Sequence, residues 1–330
     1  MWDNVLGHDG PKLFLQKFLQ VQERPHALLF CGASGLGKHM LALEFARSVL
    51  CFNGSDGDGC EACRLMDLKN GSTAHPDFLT VNIEEGAKNI KIDQIKELIG
   101  KAAFAPVLSQ NKVCIINDAD RMVDSAANCS LKLLEEPPAG WIFILIAENE
   151  DKLLSTILSR VVRLRFYGVP EKLLQELLQK RGLVAEQALA MARISDGSVG
   201  EAFSLLEQNV FAVRQQALAF LEAQPMQQQM NYLASRPWID KAERAEAVLL
   251  VKLLYLLLRD VLLLNTKTEQ PLFNCDLENE LASLSGFWNK KALSESLKIV
   301  TDVYTALDNS VSVKPALESM GIRINSAYKE

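Results

Sequence analysis

Leu28-Leu29-Phe30-Cys31-Gly32-Ala33-Ser34-Gly35-Leu36-Gly37-Lys38-His39 is a short apolar run that meets a glycine-rich loop. An apolar-periodic segment follows, from Met40 to Leu50. That order predicts strand, phosphate loop, helix. The pattern G-x-x-x-x-G-K is complete in Gly32, Gly37 and Lys38, with Gly35 between them. Glycines let the backbone fold back so that successive N–H groups point at a phosphate, and the next helix adds the positive end of its dipole. Lys38 has the reach for the terminal phosphates of a nucleotide. The pattern calls for Ser or Thr next, whose hydroxyl holds Mg²⁺, and here stands His39. Imidazole is a poor ligand for that hard ion. The loop is therefore expected to suit phosphate better than metal-assisted hydrolysis.

Working outward, Val113-Cys114-Ile115-Ile116-Asn117-Asp118-Ala119-Asp120 reads as a second buried strand ending in polar residues. In a phosphate-loop ATPase this place carries two acids, one for Mg²⁺ and one for the attacking water. Here the first position is the neutral Asn117 and the second is Asp118. A register shift that makes Asp118 the metal-side acid is the alternative. His39 and Asn117 are thus two departures at one metal position. Further strands are expected at His75–Val81 and Trp141–Ala147, and a helix at Ile90–Ala103 with Ile92, Ile95, Leu98 and Ile99 on one face. The lysines at 88, 91, 96 and 101 read as a solvated face. Asp124 is placed to N-cap a helix over 125–136, which Pro137-Pro138 stops. Within Leu153–Arg165, the charge of Arg160 stands among apolar neighbours, and a local ion pair is the simplest account.

From Pro170 onward only helical patterns appear. Glu171–Lys180, Glu186–Ile194 and Gly200–Leu206 surround a turn at 195–198, and longer helices follow with breaks near Pro225, Pro237, Pro271 and Gly286. The expected fold is an α/β P-loop domain, a parallel sheet flanked by helices, over 1–167. A small helical domain over 168–208 and an all-α domain over 209–330 follow.

An inserted loop over 51–66 carries Cys51 and the pair Cys60-Glu61-Ala62-Cys63. Three thiols at this spacing match part of a tetrahedral zinc site, with Asp56, Asp58 or His75 open as a fourth ligand. A degenerate module of free thiols fits the same residues. A redox pair fits less well, because Asp58 and Glu61 disfavour a thiolate. Cys31 and Cys114 lie in apolar runs and read as core. The 330 residues carry a net charge of −6, against the basic balance of a protein that grips nucleic acid alone. The apolar stretch from Ala247 to Leu264 is interrupted by Lys252, Arg259 and Asp260, which suits a bundle helix rather than a membrane span. No signal peptide is evident, and a reducing cytoplasm is expected.

Taken together, these motifs resemble the AAA+ clamp-loader subunits of bacterial DNA polymerase III. The resemblance rests on Val5-Leu6-Gly7-His8, the phosphate loop, and the thiol module ending in His75-Pro76-Asp77. Its most specific stretch is Asn128-Cys129-Ser130-Leu131-Lys132-Leu133-Leu134-Glu135-Glu136-Pro137-Pro138. Ile157-Leu158-Ser159-Arg160 matches the family's Ser-Arg-Cys motif with Val161 for Cys, and 307–318 matches its last collar helix. The resemblance implies an AAA+ first domain, a helical lid and a collar that assembles a five-subunit ring. It implies motor subunits and a delta subunit as partners, and the sliding clamp and primer-template DNA through the complex. ATPase-competent relatives carry Ser/Thr after the loop lysine, an Asp-Glu pair, a polar sensor and a lid arginine. Here stand His39, Asn117-Asp118, Ala147 and Gly200, which implies the branch that does not hydrolyse ATP, with weak or no nucleotide binding. An ATP-hydrolysing motor subunit of the gamma/tau kind is the alternative. The family's thiol spacing would put a further Cys at Gly57. By the same resemblance Arg160, with Ser159, is an arginine finger for a neighbour's ATP.

Overall fold

Three strands are buried along their whole length and apolar but for Lys112, and they form the middle of a five-stranded parallel sheet. In the computed structural model, which describes residues 2, 4–21, 24–51, 60–66, 74–223, 243–309 and 311–329, these are β1 (Ala27–Cys31), β3 (Lys112–Ile116) and β4 (Trp141–Ala147). β2 (Phe78–Val81) and β5 (Val162–Arg165) close the two edges in the order β2-β3-β4-β1-β5. Every pairing is parallel, with Leu29 opposite Leu145 and Arg163, and Ile115 opposite Ile144 and Thr80. Parallel strands are covered on both faces, so central ones read as continuous apolar runs.

The alternation along each strand feeds two cores. Leu28, Phe30, Val113, Ile115, Ile142 and Ile144 pack with Leu15 and Phe18 of α1 (Asp9–Gln20) and with Leu41, Phe45 and Val49 of α2 (Lys38–Leu50). Leu29, Cys114, Ile116, Phe143 and Leu145 pack with Ile95 and Leu98 of α4 (Ile92–Ala102) and with Leu133 and Leu134 of α5 (Asp124–Glu135). Cys114 is fully buried, and burial pushes its thiol up to about 12. Cys31 is buried too, as expected of core cysteines. Between these helices lies α3 (Glu61–Met66), and α6 (Ser155–Leu158) precedes β5. Asp124 does not cap α5. It is the first helical residue, and Val123 holds the cap position with no side-chain bond. The lysine face of α4 is solvated, as expected, with Lys91, Lys96 and Lys101 paired to Glu84, Asp93 and Glu97.

The chain divides into two compact units, residues 1–170 with 198–200, and residues 171–197 with 201–330. The second is helical: α7 (Glu171–Lys180), α8 (Ala185–Ile194), the greater part of α9 (Val199–Glu207), α10 (Val210–Glu222), α11 (Arg244–Thr266), α12 (Glu278–Ser285), α13 (Lys290–Asp308) and α14 (Val313–Lys329). The expected break at 208/209 falls inside this unit, and the expected breaks at Pro225 and Pro237 lie outside the described residues. The charges that interrupt the apolar stretch of α11 are paired. Lys252 meets Glu201 at 2.6 Å and Arg259 meets Asp260 at 2.8 Å. Asp260 is fully buried and accepts from the backbone N–H and side chain of Asn274, both at 2.8 Å. Arg214, on α10, is buried against Asp276. No helix among the described residues is long and apolar enough to cross a membrane.

Candidate functional site

The phosphate loop leaves the C-terminal end of β1, which lies between β4 and β5 in the sheet. Ligands of open α/β sheets bind outside the carboxyl ends of the strands. Gly32 has φ 151°, and a Cβ there would meet the Phe166 carbonyl at 2.4 Å. Gly35 and Gly37 have φ of 72° and 85°, so each of the three adopts backbone that favours glycine.

The side chains expected to serve a nucleotide are turned onto the protein itself. Lys38 is buried, and its Nζ donates to the Ala33 carbonyl at 2.6 Å and to the Gly32 carbonyl. Burial is the main cause of a lowered Lys38 pKa. His39 and Asn117, the two departures at the metal position, are bonded to each other: His39 Nδ1 donates to Asn117 Oδ1 at 2.9 Å. The Asn117 amide donates in turn to Asn82 Oδ1 at 2.6 Å. Side chains from the start of α2 and from the residues just after β2 and β3 thus satisfy one another where ion ligands would stand. Asn82 carries no motif and was not singled out in the sequence. Its position directly after a strand is the only signal. Asp118 has φ 48° and opens a short turn at 119–121. Ser198 and Gly200, which group with the sheet-bearing unit, cover the same loop. Ser198 Oγ donates to the Ser34 carbonyl at 3.1 Å, and the Gly200 N–H donates to the Gly35 carbonyl at 2.8 Å. A Cβ on Gly200 would stand 2.7 Å from Gly35 Cα, so this approach requires glycine. From the N-terminal motif, His8 Nε2 lies 2.7 Å from the Leu36 carbonyl.

Arg160 follows α6 on the surface, its side chain about one-third exposed. The local ion pair expected from the residues alone is present, since its NH2 stands 2.7 Å from a Glu135 oxygen on α5. Its NH1 donates to the Thr156 carbonyl at 2.8 Å and to Ser159 Oγ at 3.0 Å. Ser159 Oγ itself donates to Thr156. The stretches 128–138 and 157–160 therefore meet at this arginine.

Cys51, at the end of α2, and Cys60 and Cys63, at the start of α3, place three Sγ atoms within 4.8 Å of one another. Cys51 and Cys60 are 3.9 Å apart. Thiolates about 2.3 Å from a tetrahedral ion stand roughly 3.8 Å apart, so the donor set fits zinc. The Cys63 N–H donates to Cys60 Sγ at 3.5 Å. Among the described residues no fourth His, Cys, Asp or Glu joins the three. Asp56, Asp58 and Gly57 lie outside the described residues. His75 is not a ligand. Its Nδ1 accepts from the Asp77 N–H at 3.1 Å and its Nε2 meets Ser109 Oγ at 3.3 Å. Met66 is buried in the core with Phe45 and Leu50.

Asp77, fully buried, accepts from the N–H groups of Val107, Leu108 and Ser109 at 2.7, 2.7 and 2.8 Å. Burial works against its charge, but those three donors prevail and hold the carboxyl below its ordinary pKa. His75-Pro76-Asp77 is therefore a structural clamp on the loop before β3.

A sequence profile of the family described as "DNA polymerase III, delta subunit" matches residues 8–170, nearly all of the sheet-bearing unit. The chain is 36% identical over 141 residues to DNA polymerase III subunit delta' of Pseudomonas aeruginosa, covering 43% of each chain. It is 34% identical over 200 residues to DNA polymerase III subunit delta' of Escherichia coli, covering 59% of each. The matches thus span less than two thirds of these two relatives. A DNA polymerase III gamma subunit-related protein from Thermotoga maritima shares the fold, with a TM-score of 0.52 and 18% identity over 95% of this chain and 99% of the other. The profile over residues 8–170 and these relatives agree with the motifs at 32–39, 128–138 and 157–160: the chain is similar to the delta' subunits of DNA polymerase III.

Proposed function

We propose that this chain is a non-hydrolysing clamp-loader subunit that supports ATP-dependent loading of a sliding clamp onto primed DNA in the cytoplasm. In this reading it joins motor subunits and a delta subunit in a five-membered ring, and meets clamp and primer-template through that complex. The observation that carries it is the hydrogen bond between His39 and Asn117. A motor needs a hydroxyl and a carboxylate there, because Mg²⁺ takes hard oxygen ligands in near-octahedral geometry. Lys38, bound to its own loop, and Gly200, packed on Gly35, support the same reading, so nucleotide binds weakly or not at all. The gamma/tau-like motor reading would need these contacts to break together.

The active contribution we propose is made in trans by Arg160. A guanidinium aimed at a neighbour's transferring phosphoryl group stabilises charge that develops in the transition state. Its position on the surface, next to Ser159, suits that role. Cys51, Cys60 and Cys63 would hold zinc, which when bound ties the end of α2 to the start of α3.

The isolated chain should show no ATP turnover above background. Turnover abolished by Lys38→Ala would overturn the reading in favour of a motor. In the assembled loader, Arg160→Ala should lower DNA-stimulated hydrolysis without abolishing it, since motor sites facing other subunits keep their own arginines. Arg160→Lys should do nearly as badly, because an ammonium cannot make the planar two-pronged contact.

A further inference from the structure

Glu135 stands in the last turn of α5, a helix with Lys132 as its only basic residue in that turn. A helix carries negative partial charge at its C-terminus, where a carboxylate is unfavourable. Glu136, the next residue, adds a second carboxylate at the same end. Helix stability alone does not account for this placement. The Arg160 guanidinium, 2.7 Å from Glu135, does.

We infer that Glu135 is a positioning residue that holds Arg160 in the orientation used toward a neighbouring subunit's phosphate. This inference rests on the trans-acting reading of Arg160 given above. The two partners are 33% and 47% exposed, and pairs so exposed contribute little to stability. Their effect is on orientation. A free arginine side chain has rotamer entropy to lose on being fixed. Here that freedom is removed before any partner arrives. NH1 is held by the Thr156 carbonyl and Ser159 Oγ, and NH2 by Glu135. The Nε–H donates to nothing among the described residues and remains for an incoming oxygen. A reacting group already in place avoids paying that cost in the transition state. Thr156 and Ser159 sit within four residues of Arg160 and move with it, whereas Glu135 comes from a separate helix and fixes the arginine relative to the sheet.

The test is a double-mutant cycle in the assembled loader, reading kcat and KM for DNA-stimulated ATP hydrolysis. Glu135→Ala should lose at least about half of what Arg160→Ala loses, in kcat rather than KM, because only the transition state uses the fixed geometry. Glu135→Ala with Arg160→Ala should be no slower than Arg160→Ala alone. Glu136→Ala, which removes the same charge one residue on, should leave kcat unchanged. The melting temperature of each single-variant chain should match the parent, and Glu135→Lys, which repels the arginine, should fall at least as far as Glu135→Ala. If Arg160→Ala slows the loader while Glu135→Ala leaves kcat unchanged or raises it, the inference is wrong and the trans-acting reading stands. Losses that multiply in the double variant, or an equal loss in Glu136→Ala, also overturn the inference. If Arg160→Ala itself has no effect, the trans-acting reading fails and the inference fails with it.

Discussion

Asp77 illustrates how one residue can hold a loop that lies far away in sequence. A carboxylate accepting three backbone N–H bonds is held ionised by them, and each such charge-assisted bond is worth about 1.5–3 kcal/mol. Asp77→Asn keeps the shape, removes the charge and turns an amide donor toward N–H groups. It should cost about 2–4 kcal/mol, read as a lower denaturant midpoint at pH 7. The pH dependence has a definite sign. The folded-state pKa of Asp77 is depressed, so its contribution is full above the unfolded value of about 4 and is lost as pH falls through the folded one. His75 is held neutral by burial and acts in the same direction, losing stability as pH falls below its unfolded value of about 6.5. The stability gap between parent and Asp77→Asn should therefore narrow as pH falls below the unfolded value of about 4. A gap that persists at the acid end would mean that the carboxylate is not what fastens residues 107–109.

At the scale of elements, the α2–α3 pair is where a bound zinc would act. α3 has six residues, too few to be a stable helix without help. A zinc ion on Cys51, Cys60 and Cys63 would supply it, and zinc binding is folding free energy where a site closes a loop. Protein prepared without chelator should hold about one zinc per chain, and Cys60→Ser should lose the metal and lower the melting temperature. A zinc content near zero, with Cys60→Ser melting like the parent, would make the three thiols a remnant. The sheet needs no such support, because β1, β3 and β4 are buried on both faces.

On the scale of the whole molecule, assembly depends on which apolar groups the chain leaves uncovered. The apolar face of α11 is largely used at home. Leu249, Leu253 and Leu257 are buried and Leu256 is half-buried. What the helical unit exposes instead includes Tyr255, Tyr304 and Ile322, at 43%, 43% and 55%. Buried aromatic anchors carry much of the affinity in protein interfaces. Replacing all three with Ser should leave the melting of the isolated chain within a degree or two and weaken its incorporation into the ring, read by size-exclusion chromatography with the partner subunits. Full incorporation of the triple variant would move the assembly surface elsewhere.

The sequence by itself determined the strands that are buried on both sides, the phosphate loop, the helical second half and the departures at positions 39, 117, 147 and 200. Each is a local pattern: a continuous apolar run, a glycine spacing, a residue type at one position of a motif. It was silent on β5, a four-residue edge strand whose arginines alternate with Val162 and Leu164, because an edge strand is covered on fewer sides. Only the tertiary structure decided which side chains meet. His39 and Asn117 are 78 residues apart, His75 pairs with Ser109 rather than with the thiols, and Glu135 reaches Arg160 from another helix. The physical reason is that a hydrogen bond needs its two partners within about 3 Å in the right direction. Across a parallel sheet, that proximity is set by strand order and helix packing, which no residue's neighbours in sequence encode.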